Sequence, residues 1–307
     1  MERYDNDGID DMPGLRYAHN FLQLEDEAQN LGDSWIDSAD CDPHRNEARF
    51  RCAADEYGKM LKIAYQAAHT ANPDARVVSF SFNFGDFFDS NPANLPPFSS
   101  YEQHRLAFLD QIFTQYSDYF DVIGVQCNYD YTGISPMVDY VRDTYSLSKP
   151  ILCADAGSMP MISQQQRQPG NRYKDRYPFL TDNEILDILD EGVSHPDYVT
   201  YISWWEAEKA KTVVKKAVVA ADAGVEQISF QFAMTGWGGK RNVWSHSDLL
   251  SAGPEYGQRD TIGSPRVVVF ALGQLGEMII DFHSVENLNP IPVGMAPQNW
   301  LWIYRFG

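Results

Sequence analysis

Positive charge is scarce in this chain. Its 307 residues hold 24 lysines and arginines against 43 aspartates and glutamates, a formal net charge of −19. Phosphate backbones are bound by clustered cations, so this balance argues against nucleic acid as a partner. No apolar run approaches the roughly 20 residues that cross a bilayer, so no membrane-spanning helix is expected. Met1-Glu2-Arg3-Tyr4-Asp5 has none of the apolar character of a signal peptide, and no export signal is expected in the chain as it stands. Cysteine is limited to Cys41, Cys52, Cys127 and Cys153, with no C-x-x-C pair, which removes the usual zinc and redox motifs. The seven histidines include no H-E-x-x-H spacing, so a catalytic zinc is not expected.

What is present describes a folded protein. Hydrophobic residues make up 44% of the chain and its length supports a large α/β domain with a substantial core. Aromatic residues reach 13%; their faces suit sugar binding, although core packing accounts for most of them. Acidity fits a neutral sugar or polymer as ligand, and equally a salty or extracellular habitat. Cys41 and Cys52 flank a polar loop and suit a disulfide in an oxidising compartment, whereas Cys127 and Cys153 lie in apolar strands and read as core residues. Asp5-Asn6-Asp7-Gly8-Ile9-Asp10-Asp11 resembles a calcium loop. It lacks the full EF-hand spacing and the closing glutamate, and a plain acidic turn explains it as well.

Along the chain, short apolar runs alternate with helical stripes. Strands are expected near 19–25, 76–82, 121–127, 149–154 and 227–233. Ala53, Tyr57, Leu61, Ala64 and Ala68 mark one helix face, stopped by Asn72-Pro73-Asp74. Leu106, Leu109, Phe113 and Tyr116 mark a second helix, and a third is expected over 137–145. Residues 158–181 read as a long loop. Helices follow over 182–191 and over 207–223, the latter with Ala210, Val213, Val214, Ala217, Val218 and Ala221 on one side and Gly224 as its stop. A last helix over 267–280 carries Phe270, Ala271, Leu275, Met278 and Ile279 on its apolar face. Trp300 to Phe306 alternates like an edge strand. Strands alternating with helices imply a parallel sheet, and the five found here fall short of the eight in a closed (β/α) barrel.

Several motifs fall in an order that resembles one family. Phe21-Leu22-Gln23-Leu24-Glu25-Asp26-Glu27-Ala28 resembles the W-x-I-x-N-E-P strand end of clan A glycoside hydrolases, the (β/α)-barrel group that includes families 5 and 39. Lys149-Pro150-Ile151-Leu152-Cys153-Ala154-Asp155-Ala156-Gly157 resembles their K-P-I-x-x-T-E-x-G. Asn72 to Val78 is similar to the approach to the fifth strand, Phe120 to Gln126 to the sixth, and Ala223 to Ile228 to the eighth. The chain departs from the pattern at Asp26, where the family has Asn, at Asp155, where it has Glu, and at Gln126, where many members have His.

The resemblance implies an α/β, TIM-barrel-type architecture, a partial barrel covering strands four to eight. It divides the chain into a catalytic-type domain over 1–283 and the start of a C-terminal β segment over 284–307. It implies Glu27 as the acid/base and Asp155 as the nucleophile of a retaining glycosidase on β-linked sugars, a family often secreted. Such chemistry needs two carboxyl groups about 5–5.5 Å apart at the carboxyl ends of barrel strands. Asp26, Asn128 and Tyr129 are candidate sugar-binding residues, and Trp237 a candidate stacking platform; strand-end packing and core packing are the competing accounts of Tyr129 and Trp237. No cofactor is required by this reading. It also leaves two alternatives: a catalytically inactive carbohydrate-binding relative or fragment, and a half-barrel whose missing strands come from a partner chain.

Overall fold

The computed structural model describes residues 21–24, 28, 41, 44, 46–82, 100–128, 131–157, 187–188, 191, 194–230, 250–252, 262–279, 282–288 and 304–307. The chain divides into two units, Met1–Phe84 with Ala93–Gln126 and Asp139–Ala154, and Gly85–Pro92 with Cys127–Val138 and Asp155–Gly307. The expected strands appear as β1 (Phe21–Gln23), β2 (Arg76–Phe82), β3 (Val122–Gln126), β4 (Ile151–Ala156) and β5 (Val225–Phe230), neighbours in chain order. β1 pairs with β2 and β2 with β3 in parallel. Between β3 and β4, Ile123 N–H donates to Pro150 O and Cys127 N–H to Asp155 O, which again runs parallel. The protein is thus an α/β protein with a parallel sheet laid down in sequence order.

In the first unit, helix α1 (Glu47–Ala71) starts where Asn46 accepts a hydrogen bond from the Arg49 amide at 3.0 Å. It stops at Asn72, whose N–H bonds to Ala68 O and whose side chain accepts from the Asp74 amide. Ala53, Tyr57 and Leu61 of the expected stripe are fully buried. Helix α2 (Ser100–Gln115) buries Phe108, Leu109, Ile112 and Phe113. Between these helices and the sheet lies an aromatic core: Phe80 meets Phe108 edge-on at 5.4 Å and Tyr57 at 5.8 Å. Each such ring contributes about 1.5–3 kcal/mol by leaving water. All of Val77 to Phe82 and of β3 is buried, the near-continuous burial that a parallel strand covered on both faces shows.

The opposite, amino ends of these strands are tied by side chains. Asp121 accepts from the Val77 amide at 2.8 Å and lies 3.0 Å from His69 Nε2, joining the last turn of α1 to the sheet. Lys149 Nζ donates to Phe120 O at 2.5 Å. Helix α3 (Ile134–Tyr145) precedes β4, and its Tyr145 packs edge-on against Phe113 at 5.2 Å.

Two tyrosines of this unit give it an alkaline weakness. Burial, then the hydrogen bond to Asp55, pushes the Tyr116 hydroxyl up to about 12, and burial drives Tyr145 upward as well. An unfolded tyrosine ionises near pH 10, about two units lower than Tyr116 in the fold. The folded chain therefore holds these protons more tightly. Its contribution is complete below about pH 10 and is lost as pH rises toward the folded values. Urea midpoints measured from pH 8 to 12 are expected to fall above about pH 10. A Tyr116→Phe variant is expected to show a shallower fall, and an equal slope would remove Tyr116 from this account.

In the second unit, helix α4 (Tyr198–Asp222) begins nine residues before the expected Ala207. The expected stripe is also displaced. Of its six residues only Val213 is buried, whereas Trp205, Glu206, Lys209, Thr212, Lys216, Val219 and Ala220 are. The buried face carries charge that finds partners, which an apolar pattern does not show. Gly224, at φ 75°, turns the chain in the left-handed region into β5, which starts at Val225 rather than near 227. The short strands β6 (Leu250–Ala252) and β7 (Ile262–Pro265) pair antiparallel, as do β8 (Val285–Asn287) and β9 (Tyr304–Phe306). Between them, helix α5 (Val267–Met278) buries Val268 and leaves Phe270 and Met278 exposed, correcting the face read from sequence.

Among the described residues no helix is long and apolar enough to cross a membrane. Cys41 and Cys52 are joined as a disulfide, and Cys127 and Cys153 are buried thiols outside it.

Candidate functional site

The site lies where β3 and β4 end. In a parallel sheet the last carbonyls of each strand run out of ladder partners, and side chains placed there face a polar rim. Asp155 is the penultimate residue of β4 and is 9% exposed. Asn128, two residues past β3 and 4% exposed, donates from Nδ2 to Asp155 Oδ2 at 3.3 Å. A buried carboxylate is costly without hydrogen bonds, and Asn128 supplies one.

Two features hold the pair in place. A Cβ on Gly157 would lie 3.2 Å from both the carbonyl oxygen and Oδ1 of Asn128, so the absence of a side chain lets the Asn128 segment close on β4. Lys216 of α4 is fully buried and donates from Nζ to Cys127 O and to Gly157 O, each at 2.7 Å. Those carbonyls belong to the residue before Asn128 and to the residue two past Asp155. The ammonium thus takes over where the β3–β4 ladder ends. Lys215, next to it, places its ammonium 5.1 Å from the Tyr131 ring centre.

A second polar node lies nearer the start of α4. Arg266 donates from Nη1 to Glu206 Oε1 at 2.7 Å, and the fully buried Lys209 ammonium lies 3.9 Å from the same oxygen. Two cations on one carboxylate explain how a glutamate and a lysine sit on an inward face.

Of the residues singled out from sequence, the fold brings Asp155 and Asn128 together. Glu27, Asp26, Tyr129 and Trp237 lie outside the described residues, as do the loop over 158–181 and the acidic run Asp5 to Asp11. Lys216 and Gly157 were not anticipated as partners of the site. One signal was available: Lys209 and Lys216 are seven residues apart, two helical turns, and so share a face. Comparison with protein-family models, curated proteins and solved structures gives no match.

Proposed function

We propose that the chain is a retaining-type glycoside hydrolase acting on a β-linked oligo- or polysaccharide. In this reading β1 to β5 are strands four to eight of a (β/α)-barrel, and residues 284–307 open a C-terminal β segment. The observation that carries it is the buried Asn128–Asp155 pair at the carboxyl ends of adjacent parallel strands, where barrel enzymes build their sites. Asp155 is the nucleophile, Glu27 the acid/base, and Asp26, Asn128 and Tyr129 hold sugar hydroxyls while Trp237 stacks on a ring. In this reading no cofactor takes part in the reaction.

Asp155 is one methylene shorter than the family's glutamate, and a misplacement of about 1 Å costs on the order of 100-fold in rate. That shortfall favours a second reading, a carbohydrate-binding relative without turnover. Hydrolysis of an aryl β-glycoside separates the two. Glycosidase action predicts turnover that Glu27→Gln abolishes and that Asp155→Glu preserves or raises. No wild-type turnover, with sugar binding that survives both substitutions, would establish the binder and end the catalytic reading.

A further inference from the structure

The chemistry of one cluster in the first unit extends beyond its disulfide. Cys41, Cys52 and Glu56 each offer a ligand atom, and these atoms lie within 4.8 Å of one another; all three residues are half-buried. Cys52 and Glu56 are four residues apart on α1, so they project from one face a turn apart. Cys41 reaches that face from the preceding segment, with 5.9 Å between the two Cα atoms.

We propose that, when this disulfide is reduced, Cys41, Cys52 and Glu56 bind a thiophilic divalent cation of the zinc type, so that the metal-bound and disulfide states exclude each other. A zinc ion holds two thiolates at about 2.3 Å and a carboxylate oxygen at about 2.0–2.2 Å, which sets the sulfurs a little under 4 Å apart. Sulfurs that touch in the disulfide need only swing apart by side-chain rotation to reach that spacing. The donor set has two soft sulfurs and one carboxylate, which selects zinc over calcium or magnesium. Three protein ligands leave one tetrahedral position for water. Formal charge nearly balances: two thiolates and a carboxylate against a dication, in a chain whose net charge of −19 draws cations.

The steps balance with one co-reactant, a dithiol. It gives two electrons and two protons to the Cys41–Cys52 bond, yielding two thiols, and becomes a disulfide itself. The cation then displaces both thiol protons. In the reverse direction the disulfide form of that co-reactant takes the two electrons and two protons to become a dithiol again, the Cys41–Cys52 bond re-forms, and the ion is expelled. The same pair of sulfurs cannot do both, which makes occupancy a readout of redox state.

The test uses cobalt(II), whose thiolate complexes absorb by sulfur-to-metal charge transfer, on the whole chain. The protein is reduced with a dithiol, freed of it without air, and titrated beside the oxidised protein. A charge-transfer band is expected only in the reduced sample, with one cobalt per chain, and zinc should bleach it. Cys41→Ser and Cys52→Ser should each lose the band, while Glu56→Gln should keep it with affinity at least about tenfold weaker, the effect of one lost ligand. Circular dichroism of each variant checks that it folds, and the oxidised–reduced comparison needs no variant. An identical response in the oxidised protein, no band in the reduced protein, or a band that survives in the Cys41→Ser, Cys52→Ser double variant through Cys127 and Cys153 would each overturn the proposal.

Discussion

Replacing Lys216 by methionine is expected to destabilise the protein by about 3 kcal/mol, because it strands two buried carbonyl oxygens. Methionine keeps most of the volume, so packing changes little and the effect isolates the ammonium. Each buried acceptor without a donor costs about 1–3 kcal/mol. Removing a buried charge returns part of that sum, since lysine gives up hydration to reach this position. Lys216→Arg is not expected to rescue, because a fully buried side chain has no room for a guanidinium. The same substitutions should weaken the proposed sugar site, since Cys127 O and Gly157 O flank Asn128 and Asp155. Urea unfolding measures the first effect. A methionine variant within about 0.5 kcal/mol of wild type would show that water or other donors replace Lys216 readily.

Adding one methyl group at Gly124 is expected to cost about 3 kcal/mol or more, at the upper end of overpacking effects. A Cβ there would sit 2.5 Å from Phe80 O and 2.8 Å from the Phe80 carbonyl carbon. The cause is a slip in register. Val78 pairs with Val122 but Ser81 pairs with Gly124, so β2 spends three steps where β3 spends two. The extra residue turns the Phe80 carbonyl toward β3, and only glycine leaves room for it. Ser79 reinforces the slip by accepting from the Gly124 amide at 3.2 Å. Gly58 is the useful contrast. Its Cβ would meet the Tyr116 ring, a side chain that can rotate away at the loss of its hydrogen bonds to Asp55. Gly124→Ala should therefore lower the urea midpoint more than Gly58→Ala. The reverse order would mean that β2 can shift to relieve the clash.

Local patterns were enough to read β1 to β5 and most helices, but not the short strands β6, β7 and β8. Val77 to Phe82 and Val122 to Val125 are unbroken apolar or small runs between helical stripes, and Asn72-Pro73-Asp74 and Gly224 are turn chemistry with a direct backbone cause. Asp155 and Asn128 were legible because each lies at the end of an apolar strand, where a polar residue is out of place unless it works or is paired. The helix stripes were less dependable. On α4 the alanines and valines predicted one face, yet Lys209, Lys216 and Glu206 are buried on another. On α5 the first six residues, Val267 to Leu272, are all apolar, so periodicity could not say that Val268 is covered and Phe270 is not.

Sequence by itself determined the α/β class, the order of the sheet strands, the turns that end helices α1 and α4 and the polar residues at the strands' carboxyl ends, because each follows from residues within a few positions of one another. Tertiary structure decided what the buried charges do. Lys216 is 59 residues from Gly157 and 89 from Cys127, and Glu206 is 60 from Arg266. A lysine is expected in water until a distant backbone supplies two carbonyls in place of it, and a glycine in a strand looks like a weakness until a register slip in the next strand fills the space where its side chain would be.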